Sequence, residues 1–428
     1  MSEVLKISGG RPVSGTIRVG GSKNAALPIL AASLAINGTV KLSNVPNITD
    51  CHFMVSMLKH LGCEVHWVNK NELEIFSENV SRSDLLVPYV SEVRASSLFL
   101  AGLLSRHGEA SIGLPGGDRI GNRPLNFHIE GLKRFGYEAV VENGCLRINK
   151  RKKTPRRVSV KLPYPSVGAT QQILILGSTH NSEVTVTGAA TEPEVMQLCE
   201  FLSFCGAKIS YKNNREFFIK GNDNLRASHS YAISGDRIEF ITYMILAALQ
   251  AELLKIEGAP VTSIKNVIKF LRKIGVKIQE IDTQSVQIQR GKKLKPFTLT
   301  AKPYPGFPTD AQPLAAVLTC LTVGTCVIKD TVFPERFRHL EELKRFGLVS
   351  ELKRNKAVIP GGQKLIGSNA VIQDIRSGAA LVLAGLYANG ETELHQYHHI
   401  RRGYEDFDIK LREIGADLYT VEDIIESL

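Results

Sequence analysis

One pattern recurs six times along the 428 residues: the last amphipathic turn of a helix, a glycine, then a strand. MLKHLGCEV, GLKRFGYEA, FLSFCGAKI, FLRKIGVKI, ELKRFGLVS and KLREIGADL carry it. Their glycines, Gly62, Gly136, Gly206, Gly275, Gly347 and Gly415, are separated by 74, 70, 69, 72 and 68 residues. A fixed period means repeated copies of one supersecondary unit, and glycine at that point fits the left-handed position that ends a helix. Each repeat also holds a helix that is apolar almost all round (NAALPILAASLAI, RASSLFLAGLL, GATQQILILGS, IEFITYMILAALQ, AQPLAAVLTCL, SGAALVLAGLYA) and therefore belongs at the centre of a core. Strands such as NGTVKLSNV follow it, and polar-turn hairpins such as CEVHWVNKNELEIF close the unit. The reading is an α/β protein of two lobes, built from six βαβαββ-type units, three per lobe.

The ends refine that grouping. The last repeat stops at ADLYTVEDIIESL without a second hairpin strand, while the chain begins with an extra strand pair, EVLKISGG and GTIRVGG. We expect the N-terminal strands to complete the last unit. One lobe then spans 22–232, with a mobile loop at 114–124, and the other spans 1–21 plus 233–428. A hydrophobic fraction of 43% suffices for two cores. MSEVLKISGG does not read as a secretory signal and no apolar run is long enough for a bilayer, so a cytoplasmic protein, monomeric and without a membrane partner, is expected.

Seven cysteines at 51, 63, 145, 199, 205, 320 and 326 form no C-x-x-C pair, so buried free thiols are expected and no metal site. The net charge of +11 favours an anionic partner. The densest basic run, RINKRKKTPRR, has no interleaved aromatics and lies between strand-like segments, which favours a solvated connection over a nucleic-acid site.

The repeat aligns charges with one another. Lys23, Arg94, Asp236 with Arg237, Asp310 and Arg376 stand at the starts of the inner helices, and Asp50, Arg123, Glu192, Arg336 and Arg402 at the starts of the outer ones. Basic side chains there oppose the helix dipole. Any one of them reads as ordinary surface; six, Lys23, Arg94, Arg123, Arg336, Arg376 and Arg402, at matched positions suggest a cleft for a substrate with several negative charges. Asp310, in KPYPGFPTDAQP, is balanced between helix N-cap and catalytic carboxylate.

GGSKNAALPILAA, LPGGDRIGNRP with the following histidine, PSVGAT, EPE, GDRIE, FPTDAQ, TVFPERF, DIRSGAALVLAG and RRGYE follow the order and spacing of the enolpyruvyl transferases, and SKNAALP with PSVGAT resembles the branch that acts on a UDP-sugar. The resemblance covers essentially the whole chain. It implies an inside-out α/β barrel in each of two lobes. It also implies transfer of the enolpyruvyl group of phosphoenolpyruvate to the 3-hydroxyl of UDP-N-acetylglucosamine, by addition and elimination with release of phosphate, as the committed step toward peptidoglycan, without a cofactor. Carried over by position, Lys23, Arg123 and Arg402 face the phosphate of phosphoenolpyruvate, and Arg336 with Arg376 its carboxylate. Asn24, Arg94, Arg123, Pro124, Leu125, Asn126, Phe127, Tyr164, Ser166, Val167, Gly168, Glu192, Asp236, Asp310 and Val332 match positions toward the substrates, and Asp310 accepts the sugar hydroxyl proton.

Asp118, in LPGGDRIGNRP, stands where many relatives carry a loop cysteine assigned to protonating the methylene carbon. An aspartic acid does this only when protonated, and its free pKa is about 3.9; burial and a phosphate dianion raise it, Arg119 and Arg123 lower it. Without the thiolate, insensitivity to the epoxide antibiotic fosfomycin is expected. Asn126, Leu98 and Tyr164 depart from the family pattern, where an acid, an aromatic and a lysine are common, and bear on nucleotide affinity. Two other readings are an idle paralogue that binds UDP-sugars and a protein like the RNA terminal phosphate cyclases. His128, His339, His398 and His399 offer no evident phosphate partner for the latter.

Overall fold

The fold is taken from a computed structural model, which describes residues 2–118, 120–121, 123–291 and 293–423. The chain divides into two compact units. One comprises Met1–Gly20, Arg119–Gly121 and Gly235–Leu428, the other Gly21–Asp118 and Asn122–Ser234.

Each unit is an α/β assembly of three four-stranded sheets around buried helices. In the unit of residues 21–234 the sheets run, strand by strand, 230–232, 39–43, 72–76, 64–69; then 84–85, 109–113, 145–150, 137–142; then 157–161, 183–187, 216–220, 208–212. In every sheet the first two strands are parallel and the rest antiparallel. The inner helices Lys23–Ser33, Phe99–His107 and Val167–Ser178 fill the middle, as their all-apolar sequences require.

The other unit repeats the plan around Arg237–Gln250, Gln312–Leu318 and Ile375–Tyr387. Every residue of Arg237–Gln250 is buried. Each Leu or Ile there contributes about 1.5–3 kcal/mol over its exposed state, so a charge placed on any face of this helix unfolds it more readily than one on an outer helix.

The N-terminal strands part company. Ser2–Ser8 pairs antiparallel with 391–395 and 417–423 and supplies the hairpin strand that the last repeat lacks. Val13–Arg18 does not join it: it pairs in parallel with Ala251–Glu257, in the sheet of the fourth repeat. The matching place in the first repeat is taken by Ser230–Ala232, parallel to Thr39–Ser43. The expectation that both N-terminal strands complete the last unit is therefore corrected: each crossing strand stays in the unit it leaves. Glycine marks both crossings because the backbone packs there without room for a side chain. A Cβ on Gly21 would meet the Asn44 carbonyl at 1.9 Å, and one on Gly235 the Gly258 carbonyl at 1.8 Å.

All six repeat glycines have φ between 89° and 110°, the left-handed conformation expected after the outer helices. The cysteines are all free, six buried and Cys145 partly so. No helix among the described residues is long and apolar enough to cross a membrane, and no cluster of described side chains could hold a metal ion.

Candidate functional site

In the unit of residues 235–428, Asp310 lies in a 3-10 turn, Thr309–Ala311, ahead of the inner helix Gln312–Leu318. The N-cap positions are Pro308 and Ala311, so the capping alternative for Asp310 is set aside. Its carboxylate instead takes Arg336 Nη1 at 2.7 Å, with Arg376 Nη2 at 3.9 Å from the other oxygen. Burial opposes the charge, but Arg336, Arg376 and Arg237 outweigh it and hold the carboxyl well below the usual range. The side chain is nevertheless 27% exposed, while both arginines are 4% exposed. Arg336 Nε and Arg376 Nη1 are buried without a hydrogen-bond partner among the described residues. Such donors cost about 1–3 kcal/mol each unless something accepts from them, so this corner carries donor capacity that the described residues leave unused.

Sequence reading missed the residues that hold these arginines. Asp374 caps the helix of Arg376: its Oδ1 accepts from the Arg376 and Ser377 N–H groups at 2.9 and 3.0 Å, and the Ser377 hydroxyl donates to its other oxygen. The signal was present in DIRS, an acid directly before an apolar helix. Asp330 accepts from the Val332 and Phe333 N–H groups at 2.8 Å each and from Thr309 Oγ1 at 2.6 Å, tying the Arg336 turn to that of Asp310. Burial pushes its carboxyl above the ordinary range, against those bonds and Arg336. Val332 thus takes part through its backbone. Asp236 caps Arg237–Gln250, accepting at 2.7 and 3.1 Å from Ile238 and Glu239. Arg402 follows the short helix His398–Arg401 and is half-buried.

In the unit of residues 21–234, Lys23 opens its inner helix and pairs with Asp50 of the outer helix Thr49–His60 at 2.7 Å, with 10% and 3% of the two side chains exposed. Asn24 follows, half-buried. Arg94 donates to the Pro115 carbonyl at 2.9 Å and to the Arg123 carbonyl, clasping both limbs of the 114–124 loop. Burial, then Arg123, lowers its pKa to about 10, still charged at neutral pH. The loop's paired glycines have a steric cause: a Cβ on Gly116 would lie 1.8 Å from the Ser91 carbonyl, and Gly117 has φ +97°. Gly116 and Gly117 donate to the Val90 and Ser91 carbonyls, so Asp118, half-buried, follows directly from an anchored segment. Arg119 lies outside the described residues.

Pro124 and Asn126 are exposed at the start of Asn126–Arg134, with Leu125 at its N-cap and Phe127 packed on the core. His128 is buried, its Nδ1 2.6 Å from Gln172 Oε1; burial, against that bond, brings its pKa to about 4 and keeps it neutral. Ser166 caps Val167–Ser178, and Val167, Gly168 and Tyr164 surround that start. Glu192 is the N-cap residue of Pro193–Phe204, half-buried. Leu98 is 2% exposed in the core, so its departure from the family pattern concerns packing rather than a nucleotide.

Arg123, Arg336 and Arg402 do not stand on helix first turns; they occupy the turns that precede Asn126–Arg134, His339–Arg345 and Phe407–Glu413. A turn leaves the guanidinium free of the dipole penalty that made basic N-termini puzzling.

A family model described as EPSP synthase (3-phosphoshikimate 1-carboxyvinyltransferase) matches residues 7–411. The chain is 38% identical over 422 residues to UDP-N-acetylglucosamine 1-carboxyvinyltransferase of Methylacidiphilum infernorum, covering 98% of this chain and 99% of that one. It is 37% identical over 416 residues to the protein of the same name from Pseudothermotoga lettingae, covering 96% and 98%. Among solved structures, the enolpyruvyl transferase NikO from Streptomyces tendae superposes with a TM-score of 0.88 at 24% identity, covering 98% of this chain and 99% of that one. EPSP synthase from Acinetobacter baumannii does so with 0.77 at 16%, covering 98% and 100%.

Proposed function

We propose that this chain, which belongs to the EPSP synthase family of enolpyruvyl transferases, transfers the enolpyruvyl group of phosphoenolpyruvate to the 3-hydroxyl of UDP-N-acetylglucosamine and releases phosphate. That is the entry to peptidoglycan precursor synthesis. The observation that carries the reading is the Asp310 carboxylate, kept ionised by Arg336 and Arg376 yet more open than either. A carboxylate so placed accepts a hydroxyl proton as the oxygen attacks, and the arginines that hold it have donors left for a substrate carboxylate.

Lys23, Arg123 and Arg402 are assigned to the phosphate, Arg336 and Arg376 to the carboxylate of phosphoenolpyruvate. Asn24, Arg94, Pro124 to Phe127, Tyr164, Ser166 to Gly168, Glu192, Asp236 and Val332 are assigned to substrate binding. Asp118 is assigned the proton for the methylene carbon, giving a tetrahedral ketal with a methyl group; one proton of that methyl group is then withdrawn as phosphate leaves. No cofactor enters, and the work is that of a single cytoplasmic chain.

The test is acceptor use. Mixed with phosphoenolpyruvate, UDP-N-acetylglucosamine is expected to yield an enolpyruvyl ether detectable by mass spectrometry, and shikimate 3-phosphate none. Transfer to the latter alone would overturn the assignment of substrate. Fosfomycin is expected to leave activity intact in the wild type and to alkylate an Asp118→Cys variant; an adduct on the wild-type loop with matched loss of activity would sink that part.

A further inference from the structure

Arg336 and Arg376 approach the same carboxylate, and each lies near an aromatic ring. The Arg336 guanidinium carbon stands 5.9 Å from the centre of the Phe333 ring, and that of Arg376 stands 5.2 Å from the centre of the Tyr404 ring. Tyr404 belongs to RRGYE, two residues beyond Arg402, and is only 2% exposed.

The turn that carries Tyr404 is seated against the helix of Arg376. Gly403 and Tyr404 both donate to the Ile400 carbonyl at 2.9 Å, continuing the short helix His398–Arg401. A Cβ on Gly403 would lie 2.6 Å from Ile375 Cγ2, so glycine lets this turn close on the residue before Arg376. The Tyr404 side chain is held at both ends. Its ring packs on Phe407, with centres 4.6 Å apart, and its hydroxyl is 2.9 Å from Thr242 Oγ1 on helix Arg237–Gln250. Thr242 itself donates to the Ile238 carbonyl at 3.0 Å, which leaves Tyr404 as the donor to Thr242. Burial keeps the phenol above its ordinary range, against Arg376, so its hydrogen is present at neutral pH.

A ring fixed in this way gives a cation one place to rest, and the attraction is largest where water is excluded. The Arg376 side chain is 4% exposed, with Nη2 at 3.9 Å from Asp310 and Nη1 without a partner among the described residues. We infer that Tyr404 is a positioning residue: through its ring, anchored by the hydroxyl bond to Thr242, it holds the Arg376 guanidinium for the carboxylate of phosphoenolpyruvate. The inference rests on the reading above, in which Arg376 receives that carboxylate. Phe333 offers Arg336 a ring alone, whereas the hydroxyl ties Tyr404 to the inner helix of another repeat.

The test compares the whole chain as wild type, Tyr404→Leu, Tyr404→Phe and Thr242→Val, by steady-state kinetics with both substrates and by calorimetric titration with phosphoenolpyruvate. Tyr404→Leu removes the ring and is expected to raise KM and Kd for phosphoenolpyruvate about tenfold or more, with kcat and KM for UDP-N-acetylglucosamine within about threefold of wild type. Tyr404→Phe keeps the ring and loses the anchor. It and Thr242→Val are each expected to raise the same two constants about threefold, and the double variant no more than either, because both break one bond. A merely structural tyrosine would lower the denaturation midpoint and leave both constants of the folded enzyme unchanged. That result, or an equal rise in KM for both substrates, would overturn the inference. If Tyr404→Leu does not fold, Tyr404→Phe and its double variant with Thr242→Val decide. Absence of turnover by the wild type would overturn the proposed reaction instead, and the titration with phosphoenolpyruvate still reads the role of Tyr404.

Discussion

Two buried ion pairs stand at matching places in the repeat and run in opposite directions. In the first repeat the inner helix carries the cation, Lys23, and the outer helix the acid, Asp50; in the fifth the inner turn carries the acid, Asp310, and the outer one the cation, Arg336. Both close at 2.7 Å. They differ in which partner is sealed. Asp50 is 3% exposed beneath Lys23 at 10%, whereas Arg336 is 4% exposed beneath Asp310 at 27%. In each pair the inner-helix member is the more open one, and the outer member is its buried counter-charge. One scaffold position thus delivers a cation in one repeat and a carboxylate in another, by exchanging the signs.

Removing the open acid has the largest expected effect. Asp310→Asn keeps the shape but loses the proposed base, and kcat of the folded variant is expected to fall by about 10²–10⁴-fold, beside a loss of stability as buried Arg336 gives up its counter-charge; a fall of less than tenfold would take Asp310 out of proton transfer. Removing the sealed acid acts on stability instead. Asp50→Asn leaves Lys23 buried without its counter-charge, at a cost of about 3 kcal/mol, read as a lower denaturation midpoint. If Lys23 holds a phosphate, phosphoenolpyruvate recovers more of that loss than it adds to the wild type.

Each unit also holds a buried neutral histidine near its arginines, and both carry a pH dependence. His339, 1% exposed, is brought to about 3 by burial and then by Arg336; His128 is brought to about 4. In both, the unfolded chain binds a proton that the folded chain refuses. Stability therefore falls as pH drops from about 6.5 toward those values, by at most about 1.4 kcal/mol per pH unit per histidine. Thermal melts between pH 7 and 4 are expected to show this slope, and His339→Phe to lessen it. The smallest effect belongs to an exposed pair of opposite charges on the surface. Lys41–Glu74, with side chains 56% and 37% exposed, is expected to lose no more than about 0.5 kcal/mol on Lys41→Ala.

The fold was legible wherever one residue had to satisfy a local rule. Gly62 and its five counterparts announce the ends of the outer helices because only a left-handed residue fits there, and the apolar inner helices announce the cores. The strand exchange was not legible: Val13–Arg18 and Ser230–Ala232 have equally ordinary strand sequences, and which sheet each joins is decided by long-range packing. The charges were legible as a set but not as pairs. Nothing local says that Asp50 faces Lys23, or that Asp330 and Asp374 brace the two arginines, since those contacts join residues brought together only by the turn geometry. Leu98 misled because a position known to vary in size looks like a ligand contact until its burial is seen.

The most direct measurement is phosphate release from phosphoenolpyruvate, with and without UDP-N-acetylglucosamine, for the wild type and Asp118→Asn. The expected result is release that depends on the UDP-sugar in the wild type and is lost in the variant. Binding of UDP-N-acetylglucosamine with no release by the wild type would contradict it and make the chain an idle relative of its family.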